Sequence, residues 1–117
     1  DIHHRHKLDA PSGTALALAA AVQESQALRA ARTGNKDGFV PVFSSVREGE
    51  VIGEHSVRFT LPDEVLEITH KALDRDVFAR GALKAAAWLV RQPPGFYSSG
   101  DWLGLRQPEL YRAGAGW

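Results

Sequence analysis

The stretch HHRHKLDAPSGTA, residues 3–15, changes from a run of basic side chains to the features of a helix start. Pro11 is a residue type favoured in a first helical turn, and Asp9 and Ser12 are candidates for the N-cap. Gly13 follows them and permits close approach to the backbone. These features predict a cationic turn between a strand and a helix.

Two segments have the composition and spacing of helices. Residues 14–32 are rich in Ala and Leu and contain no Gly or Pro, and Gly34 follows them as a C-cap candidate. Residues 77–90 carry apolar side chains at helical spacing, and Pro93 and Pro94 halt that pattern. We therefore expect one helix early in the chain and one late.

The region between the two predicted helices favours β-structure. Residues 40–60 are rich in Val, Phe, Ser and Ile, and the polar residues 47–50 interrupt them, which predicts two strands joined by a tight turn. A further strand is expected over residues 64–71, where the even-numbered positions form a core-facing side and the odd-numbered positions a wetter one. His55 and His70 lie inside these strands, and we expect structural roles for both.

The order of helix, strands and helix favours an α+β fold. We expect a small mixed sheet of about four strands with both helices packed on one face. The other face of the sheet then needs to be covered. The partly apolar residues 51–60 could cover it by packing against the same residues of a second copy of the chain, which predicts a homo-oligomer joined through the sheet. Residues 1–97 are assigned to the main domain and residues 98–117 to a tail.

Composition narrows the range of function classes. The chain has 117 residues, enough for one domain, and 14 basic against 14 acidic side chains, so no overall field attracts nucleic acid or membrane. It contains no cysteine, which excludes disulfides, thiolate zinc sites and a cysteine nucleophile. No apolar run approaches the roughly 20 residues that span a bilayer. We expect a soluble cytoplasmic protein without nucleic-acid or membrane partners.

The basic run lies beside the predicted helix start, and together they suit an anion. The positively charged or titratable side chains are His3, His4, Arg5, His6 and Lys7. The first amides of a helix lack internal acceptors and carry partial positive charge, and Gly13 and Thr14 would present such amides together with a hydroxyl. Histidine titrates nearest to neutral pH, which suits proton donation. The residue types therefore indicate an acid-assisted reaction on an anionic substrate.

The same side chains leave other hypotheses open. His4 and His6 would lie on one side of an extended strand, as metal ligands do, but Arg5 and Lys7 would repel a cation, so we predict no metal site. The alternative function of a metal-dependent hydrolase would require such a metal site. The cluster could also be simple solvated surface charge. Binding of nucleic acid is disfavoured because the patch is short and has no interleaved aromatic residues.

The stretch HHRHKLDAPSGTA resembles the signature of the dihydrodipicolinate reductases, also called 4-hydroxy-tetrahydrodipicolinate reductases. These are nicotinamide-dependent enzymes of lysine and diaminopimelate biosynthesis. The resemblance continues through SSVREGEVIGEH, residues 44–55, and FTLPDEVLEITHKALDRDVFARGALKAAAWL, residues 59–89. It extends loosely over PPGFYSSGDWLGL, residues 93–105, and residues 106–117 match nothing in it. Asp1 departs from the family pattern, in which a glutamate is usual.

This resemblance implies roles for individual residues. His3 would be the acid-base residue and Lys7 a second proton donor, whereas His4, Gly13 and Thr14 would hold the carboxylates of the substrate. Such roles suit the reduction of a cyclic imine, because a cationic donor can protonate the nitrogen that gains electron density. The substrate would be a small dicarboxylate.

The resemblance also implies a cofactor and an assembly. Arg75 and Phe78 would lie near the nicotinamide of NADH or NADPH, although Phe78 fits the apolar face of the second helix equally well. No G-x-G-x-x-G fingerprint occurs in the chain, so the resemblance is to the C-terminal, substrate-binding half of such an enzyme. We expect a tetramer, and no turnover from these residues alone. The alternative is a non-catalytic module that oligomerises and binds dicarboxylates.

Overall fold

The computed structural model describes residues 1–105, which fall into two compact units. The first unit covers residues 1–74, and the second begins at Arg75. The domain boundary between residues 97 and 98 stays a prediction, and the part of that tail beyond residue 105 lies outside the described residues. No helix of the described part is long and apolar enough to cross a membrane.

The first unit is a four-stranded mixed sheet with one long helix. In chain order its elements are β1 (Ile2–His3), α1 (Gly13–Thr33), β2 (Val46–Arg47), β3 (Gly53–Thr60) and β4 (Val65–Ala72). Across the sheet the strands follow the order β2-β1-β3-β4, in which β1 and β2 are parallel and the other neighbours are antiparallel. The predicted α+β class and the small mixed sheet are confirmed.

Ser12 and Gly34 fix the two ends of α1. The Ser12 hydroxyl accepts a hydrogen bond from the Ala15 amide at 3.2 Å, and Gly34 adopts a left-handed φ of 70° that ends the helix. The predictions for both caps are confirmed. The prediction for Pro11 is wrong: because Ser12 takes the cap, Pro11 precedes the helix instead of lying in its first turn, and Asp9 is not the cap.

The expected pair of strands joined by a turn at residues 47–50 is not formed. β2 is only two residues long and pairs in parallel with β1, with Ile2 opposite Val46. β3 pairs with the other side of β1, so the first residues of the chain insert between two strands that the pattern placed side by side. Residues 40–45 lie outside any strand. Periodicity does not reveal a two-residue strand whose partners are far along the chain.

β3 and β4 present two chemically different faces. On one face Val57 lies opposite Ile68, and Phe59 lies opposite Leu66. On the other face the strands are joined by polar pairs, namely Glu54–Lys71 at 2.9 Å, Ser56–Thr69 at 2.8 Å and Arg58–Glu67 at 2.7 Å. The predicted division of this strand into an apolar and a wetter side is therefore confirmed.

The apolar face is less buried than we predict from the sequence. α1 lies against β3, and Leu18 of α1 lines a small cavity with Val57 and Ile68. Leu66 and Ile68 nevertheless remain 56% and 63% exposed, and Ala72 is the only buried hydrophobic residue of the described part. The expectation of a core on this side is therefore wrong for the first unit by itself, in which α1 leaves this face largely open.

The second unit contains α2 (Asp76–Leu89) and the short α3 (Ser99–Trp102). α2 agrees with the predicted helix to within one residue at each end. The Trp88 ring meets the Tyr97 ring edge to face at 5.3 Å, and the Tyr97 hydroxyl donates to the Pro93 carbonyl at 2.7 Å. These contacts fold the segment after α2 back onto that helix. Packing of α2 on the sheet stays a prediction.

Candidate active site

The carboxylate of Asp1 is the centre of a buried hydrogen-bonded cluster. Its side chain is 1% exposed. Oδ1 accepts from His3 Nδ1 at 3.1 Å and from Arg47 Nη1 at 2.6 Å. Oδ2 accepts from the Ser45 hydroxyl at 2.8 Å and from the Ser12 amide at 3.3 Å. This group, called the Asp1 cluster below, brings β1, β2 and the start of α1 to one point.

Arg47 connects the Asp1 cluster to the cationic segment. Its Nη1 also donates to the Val46 carbonyl at 2.8 Å, and its Nη2 donates to the Asp9 carbonyl at 2.6 Å. The side chain is only 15% exposed. The guanidinium thus neutralises a buried carboxylate and holds the end of residues 3–9 beside β2.

His3 is buried, and its two ring nitrogens have different surroundings. Nδ1 contacts the Asp1 carboxylate, which can only accept, so Nδ1 carries a proton and Nε2 remains as an acceptor in the neutral ring. Burial lowers the pKa of His3 below its ordinary value, and the positive charges of Arg47 and Lys7 lower it further. His3 is therefore mostly neutral at neutral pH.

His55 lies beside His3 and is held by the helix cap. The two rings meet edge to face with centroids 4.9 Å apart. The Ser12 hydroxyl accepts from the Ala15 amide at 3.2 Å and is also hydrogen-bonded to His55 Nε2 at 3.0 Å. Burial, and secondly the neighbouring His3, lower the pKa of His55. These contacts fit the structural role expected of His55, and its contact with His3 was not indicated by the sequence.

The remaining basic residues form the rim of the site. Lys7 Nζ pairs with Asp9 Oδ1 at 2.8 Å, and this hydrogen bond is the main reason why the pKa of Asp9 is lowered. The His4 and His6 rings lie 6.3 Å apart and tilted. Among residues 1–105, no three His, Asp or Glu side chains are placed to hold a metal ion.

Gly13 and Thr14 are the first two residues of α1. The first intrahelical bond runs from the Leu16 amide to the Ser12 carbonyl at 3.0 Å, and the Ser12 hydroxyl satisfies the Ala15 amide, so the amides of Gly13 and Thr14 precede the helix ladder. A side chain at Gly13 would meet nothing within 4 Å, which means that the backbone is open on that side. The position suits the anion-binding role that we predict.

Arg75 and Phe78 belong to the second unit. Arg75 is the N-cap of α2 without a side-chain capping bond, and the Phe78 amide donates to the Arg75 carbonyl at 3.0 Å. Phe78 is 55% exposed, so in this structure it is not a core residue. The contact of Phe78 with the cofactor stays a prediction.

Comparison with known proteins shows the family of this chain. A family model described as dihydrodipicolinate reductase, C-terminus, matches residues 1–103. The chain belongs to the dihydrodipicolinate reductase family. Curated relatives named 4-hydroxy-tetrahydrodipicolinate reductase from Halorhodospira halophila and Agrobacterium fabrum are 46% and 48% identical over 90% and 93% of this chain. The chain spans 43% of the length of each of these relatives.

Membership of the dihydrodipicolinate reductase family confirms the resemblance that residues 3–15 suggest. Asp1 joins His3 to Ser12, the residue that directly precedes Gly13 and Thr14, and His4 and Lys7 lie in the segment between them. The roles that the resemblance implies for these residues stay predictions.

Sequence reasoning missed the parts played by Asp1 and Arg47. Asp1 is the only acidic side chain among the first seven residues, and a lone carboxylate beside a basic run is a signal of pairing. Arg47 was assigned to a polar turn. Its partners at Asp1 and Asp9 are 46 and 38 positions away, and no local pattern indicates them.

Protonation of His3 and His55 is expected to destabilise the first unit. Because the pKa values of His3 and His55 are lowered in the folded state, the unfolded chain binds protons more readily. Stability should be full above about pH 6.5 and should fall as the pH drops below that value. Urea unfolding at a series of pH values measures this slope. His3→Gln and His55→Gln should each reduce it, and equal slopes in the wild type and both variants would contradict the assignment.

Proposed function

We propose that this chain provides the substrate-binding and proton-transfer site of a 4-hydroxy-tetrahydrodipicolinate reductase. Such an enzyme reduces a cyclic dicarboxylate imine with NADH or NADPH, in the biosynthesis of diaminopimelate and lysine. The observation that carries the proposal is that Asp1 joins His3 to Ser12, the N-cap of α1, so that His3 is tied to the start of that helix. The names of the relatives support the reaction class.

The substrate carboxylates are bound by the start of α1 and by the rim. The amides of Gly13 and Thr14 point to the open side of the helix end, where the helix dipole favours an anion. The Thr14 hydroxyl adds a donor, and His4 and Lys7 add donors from the adjoining turn. Lys7 now pairs with Asp9 at 2.8 Å, so a substrate carboxylate competes with Asp9 for the ammonium.

Proton transfer is assigned to His3 and Lys7. The bound cofactor supplies the hydride, and the imine nitrogen then takes a proton from the protein. His3 is mostly neutral without ligand because burial lowers its pKa. A bound dicarboxylate brings two negative charges close to the ring and favours its protonated form, from which Nε2 can donate. The Lys7 ammonium is the second donor.

The described residues fit only one end of a dinucleotide. The half-exposed Phe78 ring offers a stacking surface for a flat group, and the Arg75 guanidinium precedes it by less than one helical turn. Within these 117 residues there is no G-x-G-x-x-G sequence that could cradle a pyrophosphate. Arg75 and Phe78 are therefore proposed as contacts to the nicotinamide end.

The chain is also proposed to form a tetramer through its sheet and to work in the cytoplasm without nucleic-acid or membrane partners. The face of β3 and β4 that carries the pairs Glu54–Lys71 and Arg58–Glu67 has charges of both signs. A second copy can therefore place opposite charges against each other. The balance of 14 basic and 14 acidic side chains supports the absence of a polyanionic partner.

Light scattering of the purified chain tests the assembly. We expect a mass four times that of the single chain, independent of concentration in the micromolar range. Lys71→Glu places like charges at residues 54 and 71 of the sheet face and should lower the mass. A monomeric wild-type chain would refute assembly through this domain.

Isothermal titration calorimetry with pyridine-2,6-dicarboxylate, a flat analogue of the substrate, tests the binding site. Lys7→Ala removes a charged donor and is expected to weaken binding by about ten- to a hundredfold. Lys36→Ala is the matched control, because it removes the same charge from an exposed position after α1, away from the site and from the sheet face. Binding that is absent from the folded wild type, or that both variants weaken equally, would refute the site.

These 117 residues alone are expected not to catalyse the reaction, because they contain no dinucleotide fingerprint. The purified chain is mixed with substrate and with NADPH or NADH, and the nicotinamide absorbance is followed. A constant absorbance is the expected result. Measurable turnover would show that these residues hold a sufficient cofactor site.

A further inference from the structure

We propose that Asp1 is a positioning residue, which orients the His3 ring so that Nδ1 carries a proton and Nε2 is the nitrogen that meets the substrate. The inference deepens the proposed function, because it names the atom through which His3 acts. Which nitrogen of the His3 ring carries the proton can be tested without substrate or cofactor.

The hydrogen bonds around Asp1 require a carboxylate. Each of its two oxygens accepts from two donors, and the donors on Oδ1 are the His3 ring and the Arg47 guanidinium. An amide side chain has only one accepting oxygen. An asparagine at this position would therefore turn its NH₂ group either toward Arg47 or toward the Ser12 amide, and neither of these can accept. The buried position leaves no water to relieve such a clash.

The side of the ring that carries Nε2 lies over a glycine. A Cβ atom at Gly53 would come within 3.3 Å of His3 Nε2 and 3.4 Å of its Cδ2. Gly53 is in β3. Because it has no side chain, the His3 ring can approach the backbone closely, and the glycine is not needed there for an unusual φ. Asp1 fixes one edge of the ring, His55 packs against it, and Gly53 leaves room for the other edge.

Arg47 links this orientation to the rest of the site. It donates to the same Asp1 oxygen as His3 and also to the Asp9 carbonyl. Asp9 in turn pairs with Lys7. The two proposed proton donors are thus held by one connected set of hydrogen bonds, in which Asp1 and Arg47 are positioning residues and touch no substrate.

Long-range ¹H–¹⁵N correlation spectra of the chain, labelled with ¹⁵N histidine and recorded without ligand at about pH 7.5, report the tautomer of His3. The wild type is expected to show the Nδ1–H form, and Asp1→Glu, which keeps the carboxylate, should retain it. Asp1→Asn should lose this preference, so that the Nε2–H form appears. Glu67→Gln is the matched control, because it removes an exposed carboxylate paired with Arg58 and should leave His3 unchanged.

Two results would overturn the inference. The first is the finding that His3 of the wild type is in the Nε2–H form. This result would refute the inference even if Asp1→Asn does not fold. The other is a folded Asp1→Asn variant in which His3 keeps only the Nδ1–H form. Gly53→Ala should shift the His3 ring signals while it keeps the Nδ1–H form. Failure of the wild type to bind pyridine-2,6-dicarboxylate would refute the proposed function alone, because the tautomer is read without ligand.

Discussion

A carboxylate that is buried among four hydrogen-bond donors is the constraint on which the first unit depends. The Asp1 side chain is 1% exposed, and a charge in such a place is tolerated only when it is paired and hydrogen-bonded. Its partners come from β1, β2, the loop before β2 and the cap of α1. Satisfying one carboxylate therefore brings together segments that are far apart in sequence, and it sets the parallel pairing of β1 with β2.

The same arrangement explains the proposed chemistry. Arg47 donates hydrogen bonds to the Asp1 carboxylate and to the Asp9 carbonyl, so it stabilises the site and is not proposed to contact a ligand. The cap residue Ser12 satisfies Ala15 and His55, which leaves the two amides before Ala15 for an anion. His3 is held with one nitrogen toward Asp1 and is kept mostly neutral by burial. The proposed anion-binding amides and the proposed proton donor are thus tied to one set of structural hydrogen bonds.

The sequence predicts those features that local interactions determine. Both long helices and the caps at Ser12 and Gly34 follow from composition, turn chemistry and the placement of proline and glycine. The two-residue strands β1 and β2 could not be predicted, because only their distant partners define them. The basic run predicts the candidate site, but the carboxylate at its centre is recognised only when Arg47 is seen beside it. The sequence pattern also predicts that the apolar face of β4 is buried. Periodicity indicates which side chains share a face, but it does not indicate which element covers that face.

The start of α1 is proposed to bind a dicarboxylate beside His3. The most direct measurement is the titration of the ¹⁵N-labelled chain with pyridine-2,6-dicarboxylate, followed through its amide signals. We expect saturable shifts that are largest at the amides of Gly13 and Thr14, with smaller shifts at the signals of His3 and Lys7. Shifts that are absent from the folded chain, or that are confined to other parts of it, would contradict the claim.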